Sequence, residues 1–429
     1  MSYVNTENYK SMIHNTNYVK WLIVFLLPLT TWAQQQPVLR LDTILQRIDN
    51  NNLMLQSYGL KADSYKHSGD AATAWMPPMI GLGTFMTPYP NQMIMESRDK
   101  GNLMLQIEQD IPNLSKLNAK RRYIASQGNV ERANRDITLN AYKAQAKRLY
   151  FNWLIARQRV GVLEENEKIM VMMKKIEEVR YPYNQSQLGG VYRAESKILE
   201  NQNMIRMQEG TIGKARGWLN SLMNVAGNQY FEIDTTYIPS FRAAMHYDTA
   251  SLAELRMDVF KMNESIKSMQ LNIESMKQQK KPDFKIRFDH MYPLDAMMPN
   301  AYSVMGMLSI PIAPWSSKMY KSDIKGMQLS IQGMQKERSA MLVETQGMLY
   351  GMQSEIESMQ TRVSTMQEKI IPALQKAMDA YFANYQENKA QLPVVIDAWE
   401  ALTMMQMNVL DEKLKLYEMI VDYEKELYR

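Results

Sequence analysis

The sequence predicts a mainly α-helical protein with a membrane β-barrel portion, built from one unit used twice. Three observations predict it. Residues 79–112 hold two alternating segments around a turn, followed by about 70 residues of helical pattern. Residues 283–311 hold two more, followed by a second helical stretch of about the same length. Prolines recur at the corresponding joints of both halves. A repeat of this kind is a structural unit that cannot close alone. Each unit reads as a long antiparallel helical hairpin with a β-hairpin at one end. The 429 residues divide into a leader (1–33), a first repeat (34–245) and a second repeat (246–429).

The leader has secretory character. Lys20 precedes the apolar run Trp21–Leu29, and Thr31-Trp32-Ala33 approximates a small-residue cleavage site. Cleavage leaves Gln34 first, and Met12 is an alternative start. The apolar run is too short to span a bilayer, which needs about 20 residues. The chain has no cysteine, hence no disulfide framework and no acceptor for an N-terminal lipid anchor. Net charge is +5 without a basic cluster, so nucleic acid is not an indicated partner.

Strands are expected at about 79–88, 102–112, 283–292 and 301–311. In Leu103–Ile111, Leu103, Leu105, Ile107 and Ile111 point one way. Gln106, Glu108 and Asp110 point the other, with Gln109 the one polar residue on the apolar side. Phe284–Asp289 alternates throughout, and Tyr302, Val304, Leu308 and Ile310 lie opposite Ser303, Met305, Met307 and Ser309. Period-two alternation assigns each set to one face. A soluble half-buried sheet and a membrane barrel both fit; the leader and the charged rows favour the barrel. Four strands cannot close a barrel, and open edges do not survive in lipid, so several chains must share one. Pro77, Pro78, Pro112, Pro282, Pro311 and Pro314 mark the strand–helix joints, because proline lacks the ladder N–H and breaks helices. Pro112 and Pro311 close the second strand of each pair.

No proline interrupts 114–181 or 315–371, and Pro372 is expected to kink the second long helix near its end. Medium helices are expected at about 38–75, 191–223, 247–281 and 393–428, stacked end to end in pairs beside the long ones. The hairpin turns fall at 181–190 and 381–393. The segment 226–245 links the copies, with strand-like Tyr230–Ile233 laid across the outside of the hairpins.

The chain contains 38 methionines. Met262, Met269 and Met276 are seven apart, as are Met327, Met334, Met341 and Met348, then Met352, Met359 and Met366. Met352, Ile356, Met359, Val363, Met366 and Ile370 form a coiled-coil seam. Methionine as a tolerant interface filler accounts for these positions. Thioethers also suit soft cations such as Cu(I) or Ag(I). Met93, Met95, Met297 and Met298, in the hairpin loops, have no helix core to fill and are candidates for transient thioether contacts. No firm metal site, cofactor site or catalytic constellation is present. His67, His246 and His290 are widely spaced, and no phosphate loop or nucleophile motif occurs. The carboxylate pairs Glu164-Glu165 and Glu177-Glu178 read as solvated helix faces. The chain is not read as an enzyme.

The combination resembles the TolC-type outer-membrane efflux channels over essentially the whole mature chain. Arg180-Tyr181, Leu188-Gly189 and Arg193–Ser196 carry the resemblance at the first turn. Tyr381, Tyr385, Gln391-Leu392-Pro393 and Val395–Ala398 carry it at the second, and Ile111-Pro112 and Ile310-Pro311 at the strand ends. Methionine content points within the family to heavy-metal channels of the copper/silver or cobalt/zinc/cadmium type. The resemblance implies a homotrimer with a 12-stranded barrel in outer-membrane lipid and an α-helical tunnel through the periplasm. It implies an inner-membrane resistance-nodulation-division pump and a periplasmic adaptor that docks on the turns, at Leu188, Gly189, Gly190, Gln391, Leu392 and Pro393. Relatives often carry acidic rings at the tunnel tip. Here Glu387 is the only acid in the second turn, and the first has none. A drug-efflux or type I secretion channel has the same fold; the reading from another class is a periplasmic coiled-coil adaptor or structural protein.

Overall fold

The computed structural model describes residues 38–241, 247–311 and 313–428; the leader lies outside the described residues. The first half contributes β1 (Val38–Leu39), α1 (Leu41–Asn51), α2 (Leu53–Ala71), β2 (Met79–Phe85), β3 (Asn102–Ile111), α3 (Leu114–Arg180), α4 (Leu188–Leu222) and β4 (Glu232–Ile233). The second contributes α5 (Thr249–Leu255), α6 (Met257–Gln278), β5 (Asp283–Pro293), β6 (Ala301–Ser309), α7 (Pro314–Thr365), α8 (Ile371–Gln386) and α9 (Leu392–Glu426).

With 67 residues, α3 is roughly 100 Å long. It packs against α2 over its first part, where Gly128 meets Ala62, and against α4 further on, where Asn201 donates to the Leu163 carbonyl at 2.8 Å. The two medium helices therefore share one long one. The second copy joins along the same helix. Ser126 donates to Ser268 of α6 at 2.8 Å, and Lys147 pairs with Glu424 of α9 at 2.6 Å. In turn α6 and α9 carry α7, through Arg338 to Asn263 at 2.7 Å and Arg362 to Glu412 at 2.7 Å.

Of the four medium helices expected, those at 191–223 and 393–428 are continuous as α4 and α9, whereas those at 38–75 and 247–281 are each broken near their start. Asn52 takes an extended conformation, and its side chain accepts from the Met54 and Leu55 amides, which ends α1 and caps α2. Arg256 is likewise extended between α5 and α6, without a side-chain cap. Each breaking residue is tied to the end of its own copy: Asn52 Nδ2 donates to the Leu222 carbonyl at 2.9 Å and Arg256 Nη1 to the Glu426 carbonyl at 3.1 Å. Both ties span 170 residues. The left-handed residues Asn184 and Asn388, and Asn224 and Tyr428, stand at the same 204-residue separation as Asn52 and Arg256. The duplication thus persists in backbone conformation where side chains have diverged.

Pro372 acts through the turn before it. Met366–Ile370 is π-helical, and the Ile371 amide reaches back to the Met366 carbonyl. The extra residue in that turn accommodates the proline's missing donor.

Among the described residues, three cores stabilise the unit. The largest surrounds Tyr150, Phe151 and Trp153 of α3, with Ile44, Ile48, Phe231, Tyr417 and Ile420. There β4 pairs in parallel with β1, and Phe231 packs on Trp153 at 5.1 Å, so the linking segment covers α3. Residues 242–246 of that segment lie outside the described residues. A second core gathers Met170, Met173, Tyr385, Val395 and Trp399 near the turns. A third, Ile266, Ile273 and Ile331 with Met262, Met269, Met327 and Met334, joins α6 to α7.

The sheet is antiparallel in the order β2-β3-β5-β6, so both copies pair through their inner strands. β2 stops at Phe85, short of 88, because Met86 turns the chain at φ +54°. β6 stops at Ser309, short of 311, ahead of Pro311. Gly101 is obligatory at φ +86°, where a Cβ would lie 2.6 Å from Thr87 Oγ1.

Replacing Asn52 with Ala removes the cap and strands a buried carbonyl. The expected cost is about 1–3 kcal/mol, read as a lowered melting temperature of the purified protein.

Candidate functional site

The sheet is sorted inside out. Ile107 and Phe288 stand opposite one another and are 39% and 38% exposed. On the other face, Asp289 is 3% exposed and the Glu108 side chain 12%. The polar residues are paired among themselves: Lys285 Nζ contacts Glu108 at 2.5 Å and Asp110 at 3.4 Å, Gln106 donates to Glu108 at 3.3 Å, and Arg287 separately donates to Asp289 at 2.8 Å. The register aligns Glu108 with Arg287 and Asp110 with Lys285. Opposite charges directly across a ladder stabilise the pair. Gln109, the one polar residue on the apolar face, donates to the Met76 and Asp110 carbonyls beside the helical joint. A face of Leu, Ile, Phe and Val turned outward against an ion-paired inner face is the sorting lipid requires.

At the outer end of the sheet, the loops carrying the candidate methionines are held together. Lys100 pairs with Asp295 at 2.6 Å, and the Leu294 amide donates to the Gly101 carbonyl at 3.0 Å. Met93, Met95 and Met297 are almost fully exposed, and Met298 is partly so. Among the described residues, no group of three or more His, Asp or Glu is placed to hold a metal ion. Most heptad methionines of α6 and α7 fill seams, Met359 beside Ile356 and Val363 among them; Met348 faces outward.

At the opposite end the two hairpin turns lock together. Tyr385 donates to Glu177 Oε1 at 2.6 Å. Arg180 lies 4.7 Å from the Tyr385 ring centre and donates to the carbonyls of Tyr385 and Gln386 at 2.8 and 3.0 Å. Arg193 reaches Asp397 at 3.5 Å, and Lys197 reaches Glu400 at 3.1 Å. Glu177, Arg180, Arg193 and Tyr385 border a cleft of about 460 Å³ between the turns. Burial, then the bond to Glu177, pushes the Tyr385 phenol above its ordinary value. Glu177 corrects the reading of the Glu177-Glu178 pair as a solvated face. Glu178 is solvated, near Lys174 and Lys175, whereas Glu177 is buried and bonded across the hairpins. No local pattern separates the two; only the packing of α8 on α3 does.

The expected docking residues divide by exposure. Leu188, Gly189, Gln391 and Pro393 are exposed, and a Cβ on Gly189 would meet nothing. Leu392 is buried in the turn's own core, and a Cβ on Gly190 would lie 2.6 Å from Glu177 Oε2. Those two therefore shape the turn from within. Pro112 stands between β3 and α3, where Asn113 caps the helix, and Pro311 follows β6.

No protein-family model matches the sequence, and no curated protein does. Solved structures do match. A crystal structure of CusC, from work on transmembrane channel formation, has a TM-score of 0.71 at 14% identity, covering 90% of this chain and 91% of that one. The outer-membrane channel OprN gives 0.70 at 12%, covering 90% and 89%. The open-state outer-membrane channel MtrE of Neisseria gonorrhoeae gives 0.67 at 13%, covering 91% and 89%. The fold is thus that of these outer-membrane channels. Among the described residues no helix is long and apolar enough to cross a membrane.

Two outcomes are expected. Arginine at Ile107 or Phe288 puts charge on the outward face, costing about 2–4 kcal/mol near a bilayer midplane and lowering membrane insertion; insertion equal to wild type would refute the face assignment. Tyr385→Phe leaves Glu177 without its donor, costing about 1–3 kcal/mol at neutral pH in thermal melts. Because the Tyr385 phenol is raised in the folded chain, its contribution is complete below pH ~10 and is lost as pH rises through the folded value. The Phe variant lacks that alkaline loss.

Proposed function

We propose that this chain is a TolC-type channel: the outer-membrane component of a tripartite efflux system, forming a passive trimeric conduit from periplasm to cell exterior. The observation that carries the reading is the inverted sheet at the end of the long helices. A soluble protein gains nothing by turning Ile107 and Phe288 outward while enclosing Asp289, but a barrel wall between lipid and water needs that sorting. Three copies of a four-stranded sheet supply twelve strands, and the helices supply the tunnel. Selectivity in such a conduit comes from lining charge and constriction rather than reaction chemistry. An inner-membrane resistance-nodulation-division pump and a periplasmic adaptor complete the system, with the adaptor seated on the exposed turn residues Leu188, Gly189, Gln391 and Pro393. An adaptor or spacer of another class would leave the outward apolar face without a role.

For the cargo we favour soft metal cations such as Cu(I) and Ag(I). The exposed tip methionines support this, as do Met104, Met291, Met305 and Met307, which the register assigns to the polar face. Drug efflux or type I secretion is the alternative on the same fold.

Two measurements test the reading. The protein should remain in the detergent-resistant outer-membrane fraction, where a soluble spacer would wash out. A deletion strain should become sensitive to silver and copper, with growth restored by the intact gene. Sensitivity confined to a drug panel would transfer the cargo to drugs and return the methionines to packing.

A further inference from the structure

The two outer strands of the sheet, β2 and β6, each have one unpaired edge. This inference rests on the barrel reading: in lipid, those edges must be paired. The occupant of each edge is a second copy of this chain, β6 of one against β2 of the next.

The register inside the protomer defines a row on the polar face. Met79 stands opposite Glu108, Glu108 opposite Arg287, and Arg287 opposite Met305. Met79 is the first residue of β2, Glu108 lies three residues before the end of β3, Arg287 four residues after the start of β5, and Met305 four residues before the end of β6. The row therefore moves away from the helical joints as it crosses the sheet, as the rows of a tilted barrel must. Strands about 4.8 Å apart, rising about 3.3 Å per residue and tilted about 45°, advance about 1.5 residues per strand, or about six per four strands. The step must be even, because an odd one would turn the charged row toward lipid. Continued from Met305, the row reaches the next copy about six residues beyond Met79, at Phe85.

We infer that β6 pairs antiparallel with β2 of the neighbouring copy with Met307 opposite Gly83. On the polar face, Ser309 then meets Gly81. On the apolar face, Leu308 meets Leu82 and Ile310 meets Ile80. The side chains agree with this seam. A Cβ on Gly83 would meet nothing within 4 Å, which leaves room for the Met307 side chain. Leu82 and Leu308, 73% and 50% exposed in the single chain, cover one another. The edge continues along α7: Gly326, Gly333 and Gly347 leave open space on the surface turned away from the Ile331 and Met352 seam.

The cysteine-free chain makes the register directly readable. Three double variants share Gly83→Cys and add Met305→Cys, Met307→Cys or Ser309→Cys. Directly opposite Cβ atoms lie about 4.5–5.5 Å apart, close enough to reach the disulfide range of about 3.5–4.5 Å with a small backbone shift, whereas diagonal neighbours are about 7–8 Å apart. After mild oxidation of intact outer membranes, the Met307 variant should give a ladder of covalent oligomers that reductant collapses to monomer. The other two should remain monomeric on denaturing gels. A second set, Leu308→Cys with Ile80→Cys, Leu82→Cys or Thr84→Cys, reads the opposite face and should favour Leu82. Preferential linkage of Met305 and of Ile80, a step of four, would overturn the register, and so would preference for Ser309 and Thr84, a step of eight. Oligomers in the membrane with no linkage in either set would also overturn it, leaving the channel reading intact. Absence from the outer-membrane fraction would overturn both.

Discussion

On the proposed barrel reading, backbone hydrogen bonding in a medium without water is the constraint on which the rest of this structure depends. Every N–H and C=O of a strand in lipid needs a protein partner. The four-stranded sheet supplies those partners internally except along the outer edges of β2 and β6. Side-chain sorting follows from the same medium. The face that lipid would wet is Leu, Ile, Phe and Val, and the charged residues turn inward, where Lys285 is shared between Glu108 and Asp110. On the proposed barrel reading, each feature demands the other.

The helices extend this arrangement downward. One long helix, α3, holds α2 and α4 of its own copy and α6 and α9 of the other, so it is the shared wall of both repeats. The repeats remain recognisable where the backbone must do something unusual. Asn52 and Arg256 break their helices at equivalent places and reach equivalent carbonyls, although one is a neutral amide and the other a cation. The geometry of the closure is the same in both copies, whereas its chemistry differs. The turns show the complementary case: Glu177, Arg180 and Tyr385 join the hairpins at the tip through one buried carboxylate, one guanidinium and one phenol.

Much of this was legible in the amino-acid sequence. Alternation at Leu103–Ile111 and Phe284–Asp289 marked strand and face, because a period of two has no other reading. Proline-free runs marked the long helices, and the methionine heptads marked the seams between them. Charge patterning was the less informative signal. Glu177 and Glu178 are adjacent and identical, yet one is buried in the turn and the other solvated. Leu392 read as a surface contact and is part of a core. Helix continuity also misled. Nothing local in Arg256 announces a break; its partner at Glu426 is 170 residues away.

What the sequence by itself determined is the set of elements, their faces and their use in two copies, because periodicity and proline act within a few residues. The tertiary structure alone decided which of two adjacent carboxylates is buried, where the medium helices break, and which strands meet. Those outcomes depend on groups brought together from distant positions. Burial and hydrogen bonding there are properties of the pair, and neither residue carries them alone.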